Sequence, residues 1–305
     1  MAKSRKERQL LAEKALAEKN YVLATEIFTK LYQERSSARA NFFLVRSLAG
    51  QGEFKEAFEI AEEYLKSYLC EDDRFIFYIH VAVFAKNGIG IEKILARLTP
   101  YMTEYESRLF NTTLAKEVAE FSSIHPSNLK KAFKDIRYLG SLSPIKQRGA
   151  VQEAQQFSRS DFVKVAGIVM LDPNVHPLIR ASFLNDLRLI KVQEKMGYLT
   201  FMHKRAALIP ANLPDLEQMD FFKNYKNKLL DDADRPPDVS EQILRELTLK
   251  LMLLYPSYSE IKQNNALWYH ILLDRRWVAA NAAGYFEVAS QLENSLAQWE
   301  PKQNR

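Results

Sequence analysis

Apolar residues recur at helical spacing along most of this chain, interrupted by short polar breaks. Between Leu10 and Leu31, Leu11, Ala12 and Ala15 share one helical face. Glu18-Lys19-Asn20 then interrupts, and Tyr21, Ala24, Phe28 and Leu31 define a second helix. The design returns between Asn41 and Leu65. Leu44, Val45 and Leu48 come first, Gln51-Gly52-Glu53 is the break, and Phe54, Ala57, Ile60, Ala61 and Tyr64 follow. Tyr21 to Phe54 and Ala24 to Ala57 are both steps of 33 residues. Each unit predicts helix, tight turn, helix. A hairpin of that size cannot bury its apolar face alone, so neighbouring pairs must stack. Tyr21, Phe28 and Phe54 are expected to be buried between pairs. Ala24 and Ala57 permit close helix approach, and Gly52 supplies a left-handed helix ending.

A third unit runs through Phe75, Ile76, Phe77, Tyr78, Ile79, Val81, Val83 and Phe84, breaks at Asn87-Gly88-Ile89-Gly90, and resumes with Ile94, Leu95 and Leu98. Its β-branched run also fits a buried strand, but its length and its position between hairpins predict a helix. Beyond Tyr101 the period is lost. Helices are expected through Leu109–Phe121, from Pro126 through Leu139, from Pro144 to about Phe157, from Asp161 to Leu171 behind a Ser160 cap, and from Pro177 to Leu189. The β-formers from Ile190 to Pro210 predict a small hairpin, Leu189 to Lys195 against Tyr198 to Lys204, turning at Met196-Gly197. Loops follow at Pro210, Pro214 and Asp231 to Pro237. Three further helices are expected: Ser240 to Tyr255 capped by Ser240, Ser259 to about Asp274, and Asn281 to Trp299. A polar tail begins at Pro301.

The spacing and residues of the first two units resemble the tetratricopeptide repeat. The matching positions are Leu11, Ala12, Tyr21, Ala24 and Phe28, then Leu44, Gly52, Phe54 and Ala57. Val45 departs from the small residue of that pattern, and neither unit has its closing proline. The layout of the second half, with Gly197, Pro210, Tyr255-Pro256 and Trp268, is similar to bacterial tetratricopeptide proteins. The resemblance implies an α-α superhelix of hairpins whose first helices line a binding groove. It places Glu13, Lys14, Asn41 and Arg46 there, with Asn41 and Arg46 as the foremost partner contacts. The expected fold is therefore all-α with one small β-hairpin near 189–204. Its segments are repeats at 1–100, irregular HEAT-like pairs at 101–188 and a C-terminal region at 189–305.

Composition narrows the chemistry. The chain has 305 residues, only 9 Gly and 11 Pro, and 43 basic residues interleaved with 38 acidic ones for a net charge of +5. A mixed surface of this kind does not single out nucleic acid. The lone cysteine, Cys70, can form neither an internal disulfide nor a cysteine metal site. The carboxylates of Glu71-Asp72-Asp73 would suppress its thiolate, so a buried or inert thiol is expected. His80, His125, His176, His203 and His270 are scattered without metal-ligand spacing. Glu71-Asp72-Asp73 and Asp231-Asp232-Asp234 lack the form of a calcium loop. Gly88-Ile89-Gly90 lacks a following Gly-Lys-Ser/Thr. No metal and no cofactor is expected. No apolar signal core follows the basic start, and no run approaches a membrane span.

One feature could meet an anion. Lys130, Lys134 and Arg137 fall at i, i+4 and i+7 on one predicted helical face, with Lys146 and Arg148 close behind. The combined reading is a cytoplasmic scaffold or adaptor, not an enzyme, that holds a protein or peptide partner and involves no membrane. One alternative is a nucleic-acid or ribosome-associated protein using basic helix faces. Another is an enzyme whose site gathers Asp172, His176, His203 and Trp268.

Overall fold

A computed structural model describes residues 4–231 and 235–299. The expectations for Asp232, Asp234 and the tail from Pro301 lie outside those residues. Among the described residues the fold is helical apart from one two-stranded antiparallel sheet. It divides into two compact units. The first holds the described residues up to Lys130 together with Gln155–Ser160, and the second holds Lys131–Ala154 and the described residues from Asp161 onward.

The first unit runs α1 (Arg5–Ala17), α2 (Tyr21–Glu34), α3 (Ala38–Gly50), α4 (Phe54–Glu62), the short α5 (Leu65–Leu69), α6 (Asp72–Phe84), α7 (Gly88–Leu98) and α8 (Glu104–Ile124). Local chemistry fixes these ends. Ser4 with Glu7 and Thr103 with Glu106 form reciprocal capping boxes, and the Ser37 hydroxyl accepts from the Ala40 N–H. The three hairpins close with the same turn. Lys19, Gly52 and Lys86 each adopt positive φ, at 59°, 83° and 66°. In each case the next N–H reaches back five residues along the helix, Asn20 to Ala15 O, Glu53 to Leu48 O and Asn87 to Ala82 O. The left-handed ending predicted from Gly52 thus recurs where the sequence has lysine.

The segment over Phe75–Phe84 is helical, and Phe75, Tyr78, Ile79, Val81 and Val83 are all buried. Phe28, Ala24 and Ala57 are buried as expected. Tyr21 and Phe54 are only half-buried, a correction to the sequence reading. Each ring lies against the next unit instead. The Tyr21 ring occupies the space a side chain at Gly50 would need, with 2.3 Å from an added Cβ to the ring. Phe54 packs on Phe84, with ring centroids 4.9 Å apart. The strap Gln155–Ser160 joins the unit at α7, where the Gln155 carbonyl accepts from the Ile89 N–H at 3.0 Å and Arg159 pairs with Glu92.

Helix α9 (Pro126–Arg137) crosses the division between the units. The second unit continues with α10 (Pro144–Gln147), α11 (Ala150–Ala154), α12 (Arg159–Val169), whose first two residues belong to the first unit, and α13 (Pro177–Leu189). The single helix expected from Pro144 to Phe157 is broken at Arg148-Gly149. The hairpin exists but lies further along the chain than read. Strand β1 (Met196–Leu199) pairs with β2 (Arg205–Leu208) in the register Met196↔Leu208 to Leu199↔Arg205. Leu189 belongs to α13, which ends on left-handed Lys191, so no strand can start there. The reversal falls at Thr200–Lys204, where left-handed His203 and the Thr200 hydroxyl, accepting from the Lys204 N–H, build the turn.

Then come α14 (Asp220–Leu230), α15 (Pro237–Leu254), α16 (Ser259–Gln263), α17 (Asn265–Leu273), α18 (Arg275–Asn281) and α19 (Phe286–Trp299). Helix α15 opens at Pro237, a residue preorganised for a first helical position, which leaves Ser240 buried inside the helix and not at its cap. The helix expected over 259–274 is split into α16 and α17, and the one expected over 281–299 starts later, as α19 from Phe286. Among the described residues no helix is long and apolar enough to cross a membrane.

Candidate functional site

Helices α1, α3 and α6 are the first helices of the three hairpins, and one run of contacts links their side chains. On α3, residues 39, 42, 43 and 46 are spaced to share a helical face. The Arg39 guanidinium lies 5.7 Å from the Phe43 ring centre and Arg46 lies 5.7 Å from that of Phe42. From α6, Arg74 reaches the same Phe42 ring at 5.0 Å, and Phe77 meets it edge-on at 5.8 Å. From α1, Glu13 accepts from Arg39 at 3.2 Å and from Gln9 at 2.8 Å. Three guanidiniums thus rest on two phenylalanine faces, a geometry that orients each cation at little entropic cost. Arg46 is exposed and has no ion pair among the described residues. Its remaining N–H groups can meet a planar carboxylate in a bidentate fashion.

Of the residues expected on this face, Arg46 and Glu13 take part. Lys14 is exposed and faces Glu18 on its own helix at 3.7 Å. Asn41 is a core residue and not a groove residue, because its relative exposure is 0%. Its amide donates to the Ile60 carbonyl at 2.6 Å and to the Tyr32 hydroxyl at 3.4 Å, and its oxygen accepts from Tyr68 at 2.8 Å. Burial, reinforced by donation to Glu63, pushes the Tyr32 phenol up to about 12. Burial likewise raises Tyr68. A polar residue on a helix gives no sign in the sequence that a tyrosine pair waits inside. Sequence reasoning missed Arg39, Phe42, Phe43, Arg74 and Phe77. The available signal was Phe42-Phe43 flanked by arginines one turn away on either side.

Elsewhere the candidates disperse. Cys70 is exposed, not buried, and its thiol bonds the Lys66 carbonyl at 3.1 Å. His80 meets Glu117 at 2.7 Å, and His270 stacks on Trp277 at 4.1 Å. The Asp172 carboxylate accepts from the Asn174 N–H, and buried His176 stacks on Trp299 and contacts the Ser295 carbonyl at 3.1 Å. Burial holds His176 below the usual histidine range. Trp268 meets Tyr285, and His203 forms the hairpin turn. No hydrogen bond, ion pair or ring contact joins any two of Asp172, His176, His203 and Trp268. Among the described residues no three His, Cys, Asp or Glu side chains cluster as metal ligands. Lys130, Lys134 and Arg137 are all exposed on α9. In the second unit a groove of about 770 Å³ runs along α14 and α15 over Phe222, Leu244 and Leu249, edged by Lys223, Lys226 and Arg245.

No protein-family model matches the chain, and neither a curated protein nor a solved structure matches it.

Proposed function

We propose that this protein is a binding scaffold that holds an acidic segment of a partner protein on the arginine-phenylalanine face of its N-terminal hairpins. The observation that carries this reading is the set of three guanidiniums, Arg39, Arg46 and Arg74, stacked on Phe42 and Phe43 across adjacent helices. The helices hold the cations in place before a ligand arrives, so less ordering entropy is lost on binding. The phenylalanines supply apolar surface between the charges, which favours a segment mixing carboxylates with apolar side chains. We place this activity in the cytoplasm, where the exposed Cys70 thiol would stay reduced.

Calorimetric titration with an acidic peptide and a neutral peptide of equal length tests the reading. The acidic peptide should bind with an affinity that falls as salt rises. Arg46→Ala should weaken it about tenfold, the value of one charge-assisted contact, while leaving stability within about 0.5 kcal/mol. Equal binding of both peptides, or an Arg46→Ala variant with unchanged affinity, defeats it.

A further inference from the structure

A second surface, independent of the first, lies in residues 131–148. This run holds Lys131, Lys134, Arg137, Lys146 and Arg148 against the single acid Asp135, a net of +4 in a chain whose total is +5. The charge balance that looks mixed over the whole chain is therefore strongly local. Arg148 is turned inward over the Trp299 ring at 4.7 Å. Lys131, Lys134, Arg137 and Lys146 are exposed, and none has an ion pair among the described residues.

Apolar side chains stand out of the same run. Tyr138 is 57% exposed, Leu142 41% and Ile145 47%. They are not loose. The turn between α9 and α10 is held by the Ser141 N–H on the Tyr138 carbonyl at 3.0 Å and by the Leu142 N–H on the Leu139 carbonyl at 3.0 Å. Leu139 is buried, and Gly140 packs so closely on Asp172 that an added Cβ would lie 2.3 Å from its carboxylate. Gln147 points inward, donating to the carbonyls of Leu142 at 2.9 Å and Asn174 at 3.1 Å. With Leu139, Gly140 and Gln147 committed inward, Leu142 and Ile145 cannot fold under to hide.

From this arrangement we infer that residues 131–148 form a docking surface for an anionic lipid bilayer, which the protein would touch without crossing. The four cations meet lipid phosphates. Tyr138 sits at headgroup depth, and Leu142 and Ile145 enter the acyl boundary. A nucleic-acid backbone would satisfy the same cations but would leave both aliphatic side chains without apolar contact, so the bilayer accounts for more of the surface.

The test is co-sedimentation of the full chain with phosphatidylcholine vesicles, with and without phosphatidylglycerol, and with a DNA duplex in parallel. Binding is expected only with phosphatidylglycerol present and should fall with salt. Lys131→Gln with Lys134→Gln should weaken it about 30-fold, from about fivefold for each cation near the surface. Leu142→Ser with Ile145→Ser should weaken it at least tenfold, while leaving binding of the acidic peptide unchanged. Tyr138→Trp gives a readout that needs no weakened variant: its emission should shift to the blue with anionic vesicles alone. No sedimentation with phosphatidylglycerol, no emission shift, or DNA binding that outcompetes vesicles and survives the aliphatic substitutions would overturn the inference.

Discussion

The two units reach the same end by different routes. In the first, long helices satisfy their own backbone, the turns repeat, and the core is built mostly from alanine, leucine and aromatic rings. In the second, the chain breaks more often, and buried polar side chains take over the exposed backbone groups. Gln147 accepts from the His176 N–H at 2.7 Å while donating to two carbonyls. Buried Arg180 donates to the carbonyls of Asp172 and Val175, Lys250 to that of Leu272, Tyr225 to that of Asn265 and Tyr258 to that of Leu251. Each break in a helix frees donors and acceptors that must be paired once buried. Irregularity is tolerated where side chains can staple it.

Four measurements would sharpen or break this contrast. If apolar burial supports both units alike, Phe28→Ala in the first and Phe183→Ala in the second should each cost about 4 kcal/mol in denaturant unfolding, since both rings are fully buried. A loss below about 1 kcal/mol in either would remove the common ground. If the second unit depends on its polar staples, Gln147→Ala should cost about 3 kcal/mol, because a buried N–H and two carbonyls lose their partner. A near-neutral result would show that the unit tolerates those groups unpaired.

The third measurement uses pH. Burial lowers the His176 pKa from its ordinary 6.5 in the folded protein, so the unfolded chain binds more protons as the pH falls. The stability this site contributes should be complete above about pH 6.5 and be lost as the pH drops toward the folded pKa, at about 1.4 kcal/mol for each unit of depression. His176→Gln should flatten that slope in chemical denaturation, and an unchanged slope would place the loss elsewhere. The smallest effect concerns the turns. Lys19→Gly and Lys86→Gly should each stabilise the first unit by about 1 kcal/mol by relieving a left-handed residue that carries a Cβ. A loss of stability on thermal unfolding would mean that the lysine side chains contribute more than the strain costs.

How much the sequence discloses follows the same division. In the first unit, period and backbone agree: the breaks at Glu18-Lys19-Asn20 and Gln51-Gly52-Glu53 coincide with the observed turns, and the β-branched third unit is a helix. Local pattern suffices there because each hairpin meets a similar neighbour. In the second, pattern competes with tertiary demands. Ser240 looks like a cap but is buried, since Pro237 starts the helix earlier. Met196-Gly197 looks like a turn but lies in a strand, and Gly197 is there because Leu171 presses within 3.1 Å of where a side chain would begin. The candidate face was legible in part. Arg46 follows from its exposed helical position, whereas the burial of Asn41 depends on Tyr32 and Tyr68, which no local spacing ties to it.

The strap Gln155–Ser160 bears on how the protein can be taken apart. The first unit is discontinuous in the chain, leaving at Lys130 and regaining its last piece 25 residues later. A truncation ending at Lys130 would keep all three hairpins yet strip the Ile89 N–H of its acceptor and Glu92 of its arginine. Such a fragment is an amputated unit, and any affinity it lacks could reflect a frayed α7 more than a missing contact. Dissection of this molecule is better done with a short linker replacing residues 131–154, so that the last stitch remains in place.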